Sequence, residues 1–137
     1  MTSNYIILFL MMLFCHIIDD YFIQAPALCN LKQKSWWDKN APDDMYKGDY
    51  IVGLIMHSIS WSFMIMLPIF NQHFTAIWTT TKYTICFAFM FVFNAIIHAY
   101  VDNIKANRHE INLIVDQIIH VIQIIFTLIM WWMFSYI

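Results

Sequence analysis

The sequence predicts an all-α polytopic membrane protein: a four-transmembrane-helix bundle with an interfacial amphipathic segment between its first two helices. Three observations predict it. Of 137 residues, 61% are hydrophobic and only 12% are charged, about half the ~25% charge of a typical soluble domain. So small a domain cannot bury this much Phe, Ile, Met and Trp in a core of its own. The apolar residues also gather in four blocks of roughly 20 residues, a length that at ~1.5 Å per residue crosses ~30 Å of hydrocarbon. None of the blocks shows the period-two alternation of a barrel strand, which leaves helices as the way to satisfy every backbone group in lipid.

The first span covers about residues 5–24. It has neither a basic n-region nor a small-residue cleavage site, so it reads as a retained helix and not as a signal peptide. Residues 25–49 mix Lys, Trp and Asp with Pro26 and Pro42, which suits an amphipathic segment lying against headgroups. The second, third and fourth spans cover about residues 50–70, 83–102 and 112–137 of a single domain, 1–137. Lys32, Lys34, Lys39 and Lys47 lie in the first connection, Lys105 and Arg108 in the third, and Lys82 alone in the second. By the positive-inside rule the first and third connections face the cytoplasm and both termini lie on the outer side. The six tryptophans are expected to anchor the helices at the interfaces. Cys15, Cys29 and Cys86 form no C-x-x-C pair and are expected to be reduced and buried. A net charge of −2 provides no basic footprint for nucleic acid. The partner expected is the lipid bilayer. The aromatic surface also suits a homo-oligomer, although no small-x-x-x-small motif marks an interface.

Ionisable residues inside the spans are the informative feature. The first span carries His16 and Asp20, the second His57, the third His98 and Asp102, and the fourth Asp116 and His120. Residues four apart on a helix share a face, so each His/Asp pair forms a stripe. Gln24, Asn94, Lys105 and Gln123 extend these stripes. The first and third spans read H-x-x-x-D and the fourth, running the other way, reads D-x-x-x-H. In all three the Asp therefore lies nearer the cytoplasm. Counting from the cytoplasmic ends places the four histidines at comparable depth, roughly 6 to 12 Å below the interface, with the aspartates about one turn closer to it. Two stacked rings are expected. Asp19 is expected to point off the Asp20 face, His73 and His109 to be solvated in connections, and Lys105 to snorkel, to neutralise Asp102 or to hold a phosphate at the membrane surface.

A charge at a helix centre costs ~2.5–3.5 kcal/mol on insertion scales, so these groups must satisfy one another or bind something. Three uses compete. Imidazole with carboxylate is a ligand set for a divalent metal, zinc foremost and iron or manganese also. In that reading His16, His57, His98 and His120 are ligands, and Asp20, Asp102 and Asp116 are further ligands or catalytic bases. Gln24, Lys105 and Gln117 support them at the mouth, and hydrolysis is the natural reaction class. The second use is a proton or ion relay through alternating His and Asp layers. In the third, His/Asp hydrogen bonds hold the helices in register and nothing more.

The residues also resemble a family of short four-helix membrane proteins of bacteria and their phages, catalogued as domain of unknown function 3307. The likeness covers nearly the whole chain. His16-Ile-Ile-Asp19-Asp20-Tyr21-Phe22-Ile23-Gln24 resembles that family's H-x-x-x-D-[FY]-x-x-Q signature, with Lys32 or Lys34 as the basic residue downstream. His57 takes the place of the family's second-span histidine. His98-x-x-x-Asp102-x-x-Lys105 and Asp116-Gln117-x-x-His120 match its third- and fourth-span motifs. The first connection is longer than in the compact version of the family. The resemblance implies an inner-membrane location in bacteria or phage and a shared polar set at these positions. It implies no particular activity.

Overall fold

The computed structural model describes residues 2–136, with side chains for 4–135. Ile137, the end of the fourth expected span, lies outside the described residues. All regular structure among those residues is helical. Four helices are long and apolar enough to cross a membrane: α1 (Thr2–Ile18), α4 (Asp49–Gln72), α6 (Thr81–Asn103) and α7 (Leu113–Tyr136). Between them lie the short helices α2 (Pro26–Leu31), α3 (Lys34–Asn40) and α5 (Phe74–Thr79), with a single 3₁₀ turn at Asp44–Tyr46. The four long helices close into a ring in which α1 touches α4 and α7, and α6 touches the same two.

Local chemistry sets the ends. Asn112 Oδ1 accepts the Val115 amide at 2.9 Å, the N-cap arrangement that satisfies an orphan donor at the start of α7. Pro26 opens α2 at its first helical position, where a missing N–H costs nothing. Two of the long helices change pitch at the Lys-rich end of the bundle. Past Ile18, α1 widens into a π-turn over Asp19–Ile23, and past Asn103, α6 does the same over Ile104–Arg108. The second π-turn stops at His109, whose left-handed φ of 56° reverses the chain toward α7.

The bundle is divided along its length. Its far half is an apolar core in which Leu8, Met12, Ile65, Met66, Ile69, Met90, Ile124 and Trp131 are buried together. Its Lys-rich half buries His16, Asp19, His57, His98, Asp102, Asp116 and His120. Between the two, Asn94, Gln123 and Thr127 form a closed network. Gln123 Nε2 donates to Asn94 Oδ1 at 2.8 Å, Asn94 Nδ2 donates to Thr127 Oγ1 at 2.9 Å, and Thr127 Oγ1 also lies 2.9 Å from the Gln123 carbonyl. That network fixes the rotation of α6 against α7.

Two expectations about aromatic and histidine placement are corrected here. Trp61 and Trp131 are fully buried and are not interfacial anchors, because both face inward on helices whose opposite faces are already apolar. His73 is half-buried and not solvated. Its ring lies 5.2 Å from that of Trp131, and burial holds its imidazole below the ordinary value.

The segment from 24 to 48 caps the Lys-rich end. Trp37 packs edge-on to Trp36 and stacks on Tyr46, and its indole N–H donates to the Leu31 carbonyl at 2.8 Å. The close approach of α2 to α4 depends on Gly53: a Cβ there would stand 2.7 Å from the carbonyl carbon and oxygen of Leu31 and 2.9 Å from the amide nitrogen of Lys32. Those are backbone atoms and cannot swing aside. Gly53→Ala is therefore expected to destabilise the fold by about 1–3 kcal/mol, the usual cost of overpacking, whereas Gly48→Ala, which meets nothing within 4 Å, is expected to be close to neutral. Thermal unfolding of the two variants in detergent measures the difference.

Candidate functional site

The four histidines meet. His98 and His120 have ring centroids 4.2 Å apart, His57 and His98 4.9 Å, and His16 and His120 5.8 Å. Each comes from a different long helix, so the site exists only when all four helices are in place. Trp61 forms its floor toward the apolar half. Its ring stacks on His98 at 4.2 Å with planes 17° apart, and its indole N–H donates to His16 Nδ1 at 2.8 Å. No spacing rule singled out Trp61, because it lies four residues after His57 on a helix where apolar residues are the norm. The i,i+4 relation to His57 was the available signal.

The aspartates form a second layer on the Lys-rich side. Asp102 Oδ2 lies 3.5 Å from His57 Nε2, and its Oδ1 lies 3.7 Å from His120 Nε2 and 3.9 Å from His98 Nε2. Asp20 Oδ1 is 3.6 Å from His57 Nε2, and Asp116 Oδ1 is 3.4 Å from His120 Nε2. Asp19 joins this layer, contrary to the expectation that it points away. It is buried, its Oδ1 accepts from Ser60 Oγ at 2.6 Å, and its Oδ2 lies 3.6 Å from His57 Nδ1. The π-turn that begins at Asp19 turns both adjacent carboxylates inward. The sequence carried a signal, since Asp19 is three residues after His16 and i,i+3 pairs also share a face.

Two lysines enter the layer. Lys105 Nζ donates to Asp116 Oδ2 at 2.6 Å, so it neutralises Asp116 and not Asp102. The partner of Asp102 is Lys32, whose Nζ donates to Oδ2 at 2.6 Å. Lys32 reaches this depth because Gly53 lets α2 approach α4. Asn107 in the π-turn of α6 then pins the backbone just after the lysine, donating to the Lys32 carbonyl at 3.1 Å and accepting from the Lys34 amide at 2.7 Å. Lys34 itself points outward and pairs with Asp38. Gln24 stands at the mouth with its amide turned so that its oxygen accepts from Lys32 Nζ at 2.6 Å. Gln117 bridges the two layers, with Oε1 3.1 Å from His16 Nε2 and Nε2 donating to Asp116 at 3.1 Å and to Asp20 at 3.3 Å.

These bonds divide the histidines into two kinds. His16 accepts from Trp61 at Nδ1 and donates from Nε2 to Gln117, which defines a neutral tautomer with both nitrogens in use. It lies in the predicted ring, yet offers no free ligand atom. His98 and His120 are the opposite case: all four of their ring nitrogens are buried and lack a hydrogen-bond partner. His57 Nδ1, Asp20 Oδ1 and Asp116 Oδ1 are orphaned in the same way. Two ligand-capable triples result, Asp20/His57/His98 and His98/Asp102/His120, each with one atom per residue lying within 4.8 Å of the others. His98 belongs to both. Asp116 belongs to neither and is held instead by Lys105 and Gln117.

Comparison with family models, with curated proteins and with solved structures returned no match. The family likeness carried by the four motifs therefore remains a resemblance, and the site is read from its own geometry.

Asp102 is buried and the Lys32 side chain is only 13% exposed, so removing one partner leaves a poorly compensated charge. Lys32→Met is expected to cost about 3–5 kcal/mol, and the double variant Lys32→Met/Asp102→Asn to recover part of that loss. Lys34→Met, on an exposed pair, is expected to stay within about 0.5 kcal/mol of the parent. Unfolding midpoints of the four proteins decide between the two lysines as the functional one.

Proposed function

We propose that the chain is a small integral membrane protein whose four long helices enclose a divalent-metal site, zinc foremost, and that the site serves a metal-dependent hydrolase. One observation carries the metal reading. The imidazole–carboxylate separations at the centre, 3.5 to 3.9 Å among His57, His98, His120, Asp20 and Asp102, are too long for hydrogen bonds. They are close to the ~3.3–3.6 Å edge of a tetrahedron of nitrogen and oxygen ligands about 2.0–2.2 Å from zinc. Charge balance agrees. With all four aspartates ionised and the histidines neutral, Asp19, Asp20, Asp102 and Asp116 would bring four negative charges against two positive ones from Lys32 and Lys105, an excess that one divalent cation would cancel.

His98, His120 and Asp102 would be the three protein ligands in this reading, which leaves a fourth position for water, with His57 and Asp20 beside it. Trp61 packs flat against His98, while Lys105 and Gln117 hold Asp116 next to His120, the support that fixes ligand rings in orientation. When bound, the ion would supply a water whose pKa is lowered to about 7. Asp20, whose Oδ1 no hydrogen bond occupies, is the base placed to take its proton. The positive-inside rule puts this half of the bundle at the cytoplasmic leaflet of the membrane.

The polar column argues for this reading over a relay. Around and past Asn94, Gln123 and Thr127 the inward positions include Met12, Met66, Met90 and Ile124, all buried and apolar. These side chains interrupt a polar path for protons across the membrane. A purely structural role is also less economical, because the Asn94–Gln123–Thr127 network already ties α6 to α7 through its own hydrogen bonds.

Elemental analysis of protein purified in detergent without chelators is expected to find close to one divalent ion per chain. His98→Ala and His120→Ala are expected to lose it, whereas His16→Gln, which alters a residue with no free nitrogen, is expected to keep it. Protein that carries no stoichiometric metal, or that loses it equally on substitution of the exposed His109, contradicts the proposal.

A further inference from the structure

The bundle's lateral surface carries apolar grooves between neighbouring helices, and one of them differs from the rest. It runs between the π-turn of α1 and the first half of α7, walled by Tyr21, Ile114, Ile118 and Ile122, with Gln117 on its inner side. Gln117 is the same residue whose amide contacts Asp20, Asp116 and His16. One side chain thus separates an apolar groove from the buried cluster. The groove between α4 and α6 has Ser58 as its polar wall residue, and that hydroxyl donates to the Ile55 carbonyl of its own helix. A third groove, beside Tyr5 and Trp132, lies at the opposite end of the bundle from the aspartates.

We propose that the α1–α7 groove takes an acyl chain of a phospholipid from the leaflet at the Lys-rich end, bringing the bond between chain and headgroup against Gln117. The inference deepens the hydrolase reading and rests on it for the identity of the reactive site, since it names a membrane lipid as the substrate class. Three features select this occupant. The groove is continuous with the cluster through a single amide. Its long walls are isoleucines that stand exposed, Ile114, Ile118 and Ile122 among them, which in a bilayer leaves hydrocarbon as their neighbour. Lys105 and Arg108, paired with Asp116 and Glu110, lie at the same end of the bundle in the π-turn of α6, which marks this end as the basic one that faces headgroup phosphate. Gln117 is polar but uncharged, so displacing its amide from Asp20, the longest of its three contacts at 3.3 Å, opens the wall without unpairing Lys105 from Asp116.

The test uses the full chain in bilayer discs of phosphatidylethanolamine and phosphatidylglycerol containing a phospholipid with a photoreactive group on its acyl chain. The label is expected on α7 peptides spanning 114–122 and on the Tyr21 segment. Ile118→Trp and Ile114→Trp, which fill the groove from exposed positions, are each expected to abolish labelling there, while Ile96→Trp in the α4–α6 groove leaves it unchanged. Label spread evenly over the outer faces of all four long helices, or retained in both filling variants, overturns the proposal. Metal content measured on the same samples separates the two readings: metal-free protein that keeps the α7 label refutes the metal site and supports the groove, and metal-loaded protein without the label does the reverse.

Discussion

Carboxylates buried among apolar helices are the constraint from which the rest of this structure follows. Each such charge costs several kcal/mol unless a partner meets it, and four of them converge within one half of the bundle. Lys32 and Lys105 answer two. To bring Lys32 in, the first connection folds back over the bundle, Gly53 gives way to its backbone, and Asn107 clamps the chain just after the lysine, at the Lys32 carbonyl and the Lys34 amide. Much of the architecture at this end is thus a device for placing one ammonium group beside Asp102.

The same constraint explains the division of the bundle along its axis. Trp61 separates the imidazoles from hydrocarbon and contributes its N–H to His16, so the most apolar neighbour of the site is also a donor. The hydrogen-bonded amides of Asn94 and Gln123 come next, and around and beyond them the core becomes methionine, isoleucine and tryptophan. Polarity falls in steps along the axis. The result is a buried site placed toward one end of the bundle beneath the 24–48 segment, which suits the proposed reaction on one face of a membrane better than passage through it.

Much of this was legible in the sequence. The four helices were visible in the four apolar blocks, and the meeting of His16, His57, His98 and His120 followed from their matching distance to the ends of antiparallel spans. What escaped the reading had three physical sources. The π-turns shift the face of the chain by a residue, so Asp19 turned inward where a regular helix was assumed. Pairing of Lys32 with Asp102 and of Lys105 with Asp116 depends on how the connections fold back, which spacing within one helix does not encode. The commitment of His16 to Trp61 and Gln117 is a matter of hydrogen-bond direction, and no pattern of residue types distinguishes a histidine with both nitrogens in use from one with both free. Composition placed Trp61 and Trp131 at interfaces, whereas their helical phase placed them inside.

X-ray absorption at the zinc edge, on protein loaded with one equivalent of zinc in detergent, tests the central claim most directly. The account predicts a shell of nitrogen and oxygen at about 2.0–2.2 Å with the outer-shell scattering of two or three imidazoles, reduced by one imidazole in His98→Ala and unchanged in His16→Gln. A spectrum with sulfur ligands, with no imidazole scattering, or indistinguishable between the parent and His98→Ala would contradict it.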